Sequence, residues 1–172
     1  QGETNTCWFV ASTGAMELLM NKKDKIKNPK KNGPNDLSES FTIYADDYVD
    51  DETRNQSWIE SVVLRFNNGV AIQNKVWPFV AYNEDGTDSE RAWWKHTDFD
   101  TLPRVKTPKV KTELLFSYGK RWATEVLEDK DLELMKETLS KRGAPLIVNY
   151  NDDGYWHVVL IVGYDDRKKG DC

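Results

Sequence analysis

Cys7 and His157 are the side chains in this sequence best suited to covalent chemistry. A thiolate is a nucleophile, and an imidazole exchanges protons near neutral pH. Cys7 opens a predicted helix that runs to about Asn21, with Val10, Ala11, Ala15, Leu18 and Leu19 as its apolar stripe. Thr4, Asn5 or Thr6 is placed to cap its start. Unpaired backbone N–H groups and the helix dipole at that end favour the thiolate over the thiol. The competing reading of Cys7 is a small buried side chain on a helix. His157 stands at the start of the apolar run Val158 to Val162, just after a predicted turn. A strand end holds a side chain rigidly yet near the surface, which suits a general base. The competing reading is a core or surface histidine of a hairpin. His96 follows Trp93-Trp94-Lys95 in an irregular stretch and reads as structural or surface. Cys7, His157 and Asp165 lack the spacing of a zinc site. Neither a metal nor another cofactor is expected.

Several elements must position these residues. A lysine-rich stretch, Lys22 to Lys31, follows the first helix and reads with Pro29, Gly33 and Pro34 as a solvated loop, with anion binding as the lesser alternative. Ser38-Glu39 starts a short amphipathic segment through Tyr44, and Trp58 to Phe66 is a helix stopped by Asn67-Asn68-Gly69. Trp77 precedes a proline and is extended, and Asn83 to Gly86 is a turn. Val105 to Lys111 alternates apolar and basic residues around Pro108. Asp131 to Lys141 is a helix ended by Gly143. Pro145 to Tyr150 and Trp156 to Tyr164 are strands joined by Asn151-Asp152-Asp153-Gly154, a strong hairpin signal. Helices in the first half and strands in the second make an α+β pattern.

Composition narrows the classes. A chain of 172 residues with 38% hydrophobic residues can bury a core as one domain or two small lobes. A net charge of −5 disfavours a general nucleic-acid binder. No apolar run approaches the roughly 18 residues of a membrane span. Two cysteines, Cys7 and Cys172, are too few for a disulfide framework, although they could pair with each other. That leaves the compartment open, with an extracytoplasmic or secreted location favoured over the cytoplasm.

Five stretches, in order, resemble the papain family of cysteine peptidases. Gln1-Gly2, four residues, then Cys7-Trp8-Phe9 resembles the family's Gln-Gly-x-x-x-x-Cys-Trp-[Ala/Ser]-Phe. Leu37-Ser38-Glu39 is similar to its Leu-Ser-Glu-Gln helix start, and Trp77-Pro78-Phe79 to its Tyr-Pro-Tyr. Leu134-Met135-Lys136 followed by Gly143-Ala144-Pro145-Leu146 resembles the helix and strand entry before the histidine. His157-Val158-Val159-Leu160-Ile161-Val162-Gly163-Tyr164 resembles the His-Ala-Val-x-x-Val-Gly-Tyr strand.

The resemblance implies a two-lobed fold with the cleft between lobes, a helical lobe over 1–95 and a β-rich lobe over 96–172. It implies Cys7 as nucleophile, His157 as base, and Gln1 as an oxyanion donor beside the Cys7 N–H. Asn5 stands where the family has a glycine along the cleft. Gln56-Ser57 stand where it has Gly-Gly, and Trp156 adjoins the histidine, so these four are candidate cleft-wall residues. The family's Cys-Gly-Ser before the nucleophile is Thr4-Asn5-Thr6 here, so its disulfide is missing. The family's orienting Asn has no counterpart up to Cys172 and is expected beyond it; Asp165 and Asp166 come too soon on the same strand. The implied partners are a peptide or protein substrate and, as in many members, an inhibitory propeptide, with no nucleic acid and no membrane. Two alternatives stand beside this thiol peptidase: a peptidase of double-glycine leader peptides, and a papain-like fold kept as a binding module.

Overall fold

The computed structural model describes residues 7–47, 58–69, 71–78, 101–116, 127–152 and 155–167. Three helices come first: α1 (Cys7–Lys23), α2 (Glu39–Asp47) and α3 (Trp58–Asn67). A fourth, α4 (Asp129–Glu137), runs into a π-helical turn, Thr138–Arg142, and an antiparallel hairpin follows: β1 (Leu146–Asp152) and β2 (Tyr155–Ile161). At this level the fold is α+β, helices with a small two-stranded sheet. The chain divides into two compact units, Gln1–Thr112 and Glu113–Cys172. Residues 101–112, expected in the β-rich half, belong by their contacts to the helical unit.

The first unit is built on α1. The predicted stripe holds only in part: Ala11 and Ala15 are buried, but Leu18 is 36% exposed, and Val10 and Leu19 are half-buried. Burial instead wraps the helix, taking in Cys7, Phe9, Ser12, Thr13, Met16, Met20 and Asn21. A helix packed against both α2 and α3 has no single apolar face, so periodicity misplaces its core side. Phe9, Met16 and Met20 meet Leu37, Ile43, Val62, Phe66 and Ala71 in the main core. A second cluster joins Phe41, Ile72 and Trp77, with the Phe41 and Trp77 ring centroids 5.7 Å apart and the Arg104 guanidinium over the Phe41 ring.

Local chemistry explains the helix ends. The Phe41 N–H donates to Ser38 Oγ at 2.9 Å, so Ser38 caps α2 through its third residue. Gly69, at φ 72°, ends α3 in the left-handed region, as the Asn67-Asn68-Gly69 signal predicts. Segment 105–110 returns to α3: the Val105 N–H donates to the Ala71 carbonyl at 2.9 Å. Asn67 exchanges two hydrogen bonds with Val110, each 2.7 Å.

In the second unit the Glu128 N–H donates to Asp131 Oδ2 at 3.1 Å, which starts α4. The single helix expected over Asp131 to Lys141 instead changes to π geometry. Thr138 Oγ1 donates to the Leu134 carbonyl at 2.9 Å and Ser140 Oγ to the Lys136 carbonyl at 2.7 Å. Hydroxyls that bond back one turn compete with the helix ladder and bend it. Gly143, at φ 60°, closes the turn. The strands pair from Leu146 opposite Ile161 to Asp152 opposite Tyr155, so only Asp153-Gly154 separates them. Among the described residues no helix is long and apolar enough to cross a membrane.

Candidate active site

Cys7 is the first residue of α1, buried, and a free thiol. Trp8 and Phe9 pack into the main core directly after it, which fixes the helix start. Gln1, Asn5, Gln56 and Ser57 lie outside the described residues, as do His96 and Cys172. The side chain of Trp156 lies outside them too, although its backbone pairs with Asn151 in the hairpin.

The helix that carries Cys7 is tied to two other stretches. Glu17, in α1, accepts the Leu37 N–H at 2.7 Å. Ser38 Oγ donates to the Trp77 carbonyl, the Ser38 N–H to the Ile72 carbonyl at 2.8 Å, and Ser40 Oγ to the Pro78 carbonyl at 3.2 Å. Leu37 and Gln73 form an isolated antiparallel bridge. Leu37, Ser38, Ser40, Ile72 and Trp77 are buried, where lost partners are costly. Burial pushes the Glu17 carboxyl up to about 7; the Leu37 hydrogen bond opposes that shift, and the Glu39 and Asp36 charges add to it. Glu39 is raised as well, by burial first and by Asp36 among the neighbouring charges. Sequence reasoning missed Glu17. Its only signal is a carboxylate between Met16 and Leu18, and nothing local says which way it faces.

His157 lies in β2 opposite Tyr150, half-buried, with the two rings meeting edge to face at 5.7 Å between centroids and 80° between planes. Among the described residues no side chain hydrogen-bonds the imidazole. The nearby acids are engaged elsewhere. Asp165 takes the Arg167 guanidinium on both oxygens at 2.9 Å, and those hydrogen bonds hold its carboxyl below the usual range. Asp166 pairs with Lys136 at 3.1 Å. Neither hydrogen-bonds the His157 imidazole, and both lie beyond the end of β2. Cys7 belongs to the first unit and His157 to the second. Among the described residues no three His, Cys, Asp or Glu side chains group so as to hold a metal.

No family model matches the chain, and no curated protein or solved structure matches it.

Proposed function

We propose that the chain is a thiol endopeptidase with a papain-like, two-lobed arrangement, in which Cys7 and His157 act across the cleft. One observation supports this most. The stretches that carry the family resemblance in the first unit are linked in series: Glu17 of the Cys7 helix accepts the Leu37 N–H, and Ser38 and Ser40 donate to the Trp77 and Pro78 carbonyls, up to 39 residues away in sequence. Chance matches scattered along a chain have no reason to converge on one body. Cys7 is the first residue of α1, and the unpaired N–H groups of a helix start favour a thiolate there, which supports its reading as nucleophile.

In the proposed reaction the Cys7 thiolate attacks the peptide carbonyl carbon, and the carbonyl electron pair moves to oxygen. The Gln1 side-chain amide and the Cys7 N–H donate hydrogen bonds to that oxyanion; one such donor is worth about 10²–10³ in kcat. The intermediate collapses, the C–N bond breaks, and His157 gives its proton to the leaving amine. His157 then takes a proton from water, whose oxygen attacks the thioester and releases Cys7 as thiolate. Cys7→Ala is expected to abolish peptide hydrolysis, and an epoxide thiol inhibitor to label Cys7. Unchanged cleavage by the alanine variant rules the proposal out. A binding module is the second reading, favoured by the absence, among the described residues, of any group orienting His157. Failure of both hydrolysis and thiol labelling would select it.

A further inference from the structure

Five lysines, Lys23 at the end of α1 and Lys25, Lys27, Lys30 and Lys31 in the loop after it, stand exposed in a chain whose net charge is −5. Such a run is ordinarily a mobile, solvated loop. Two observations separate this one from that description. The first is its fixed backbone. The Ile26 N–H donates to the Asn21 carbonyl at 2.8 Å and the Gly33 N–H to the Lys30 carbonyl at 2.8 Å. The buried Asn35 amide donates to Asn21 Oδ1 at 3.1 Å and to Asp24 Oδ2 at 3.0 Å, which fastens the loop to the end of α1. Lys25 and Asn32 hold the left-handed conformation, at φ 59° and 60°. A Cβ on Gly33 would meet the Lys30 carbonyl oxygen at 2.7 Å, so the turn closes too tightly for a larger residue.

The second observation is that the local carboxylates are spent on neutral donors. Asp24 accepts from Asn35, Asp36 from the Asn32 N–H, and Glu17 from the Leu37 N–H. Among the described residues no ion pair joins any of the five lysines to a carboxylate. The stretch from Lys22 to Asp36 carries six lysines against two aspartates, so a net positive charge remains on a shaped backbone. Lys30 and Lys31 also line a cavity of about 440 Å³ with Asn28, and Glu17 and Asp36 line it too.

We propose that this loop is a docking surface for a sulfated polysaccharide. The chemistry of the patch selects that partner. Protein interfaces rest on buried aromatic and apolar anchors, and the stretch from Lys22 to Asp36 contains no aromatic residue. Single-stranded nucleic acid is gripped by rings that stack on its bases, and a membrane surface is held most firmly where apolar side chains insert beside the lysines. Ile26, the one aliphatic side chain there between Lys22 and Asp36, is half-buried. A linear sulfated sugar needs only a row of cations and amide donors, and it gains from counterion release.

The test measures binding of a heparin-type oligosaccharide by the full chain. Two variants of equal charge are compared: Lys27→Gln/Lys30→Gln/Lys31→Gln, and Lys106→Gln/Lys109→Gln/Lys111→Gln. The wild type is expected to bind in a salt-dependent way. The loop variant should lose roughly tenfold to a hundredfold in affinity and about two units of salt slope; the control should change less than about twofold. On the wild type, bound oligosaccharide should protect the loop lysines, but not Lys106, Lys109 and Lys111, from amine acylation. Absent binding, equal losses in both variants, or unprotected loop lysines would overturn the proposal. Equal affinity for duplex DNA, anionic vesicles or an acidic peptide would overturn the choice of partner.

Discussion

The two units hold their candidate catalytic residues by different means. Of the buried apolar side chains among the described residues, 14 belong to the first unit and only 3, Met135, Leu146 and Val158, to the second. The first unit is also cross-tied by buried hydrogen bonds between distant stretches. The second is held mainly by local hairpin pairing, and its ion pairs, such as Arg142 with Glu113 at 3.0 Å, are exposed. Leu114 is 81% exposed and Val162 62%. Cys7 is thus fixed by a core, whereas His157 is fixed by its strand partner. Damage to packing should therefore tell most on the first unit, and exposed ion pairs should contribute little to either.

The largest expected effect tests that contrast directly. Phe41 is fully buried between Ile72 and Trp77, so Phe41→Ala should cost about 3–5 kcal/mol by chemical denaturation. Like truncations then compare the two units: Val62→Ala, fully buried in the main core, should cost about 2–3 kcal/mol, and Val158→Ala, in the thin core, about 1 kcal/mol. Equal costs would break the comparison.

Next in size is a pH effect confined to the first unit. The Glu17 carboxyl titrates near 7 in the folded chain, above its ordinary value of 4.5. Below pH 4.5 it is protonated in both states and contributes no pH dependence. Between about 4.5 and 7 only the unfolded chain ionises, so stability falls as pH rises, by roughly 2–3 kcal/mol in all. Above 7 the loss is complete. Glu17→Gln keeps an oxygen to accept the Leu37 N–H and removes the charge. Its stability should lack this slope and exceed that of the wild type at pH 8. A variant whose denaturation midpoints track the wild type across that range would contradict the assignment.

Two smaller effects follow. Ser38→Ala removes the cap of α2 and the donor to the Trp77 carbonyl, and should cost about 1–2 kcal/mol. Hydrogen exchange should then rise at Phe41 without changing in the hairpin. Thr13 Oγ1 is buried with no hydrogen-bond partner among the described residues, so Thr13→Val, close to the same shape, should stabilise the chain by about 1 kcal/mol. A loss of melting temperature in that variant would mean that the hydroxyl has a partner after all.

Much of the frame was legible in the sequence where local chemistry decides. Asn67-Asn68-Gly69 stops α3, Ser38 opens α2, Gly143 ends the helical stretch before β1, and a hairpin forms around the Asn151-Asp152-Asp153-Gly154 signal, although Asn151 and Asp152 belong to β1 and β2 ends at Ile161. What tertiary packing decides was not legible. The buried side of α1 was misjudged because neighbours surround it. The π turn depends on where Thr138 and Ser140 send their hydroxyls. Segment 105–110 joins α3 through Asn67, whose partner lies 43 residues away. Of the site, Cys7 at a helix start and His157 on a strand were readable as types of position. The tether from Glu17 through Leu37 and Ser38 to Trp77 was not, since no local rule pairs residues at those separations.

The central proposal is that Cys7 and His157 form one reactive pair. It is tested most directly by the rate of Cys7 alkylation with iodoacetamide as a function of pH, in the wild type and in His157→Ala. The proposal predicts fast alkylation of the wild type at pH 6, where an isolated thiol is almost unreactive, and collapse of that rate in the variant. Superimposable profiles for the two proteins would contradict it.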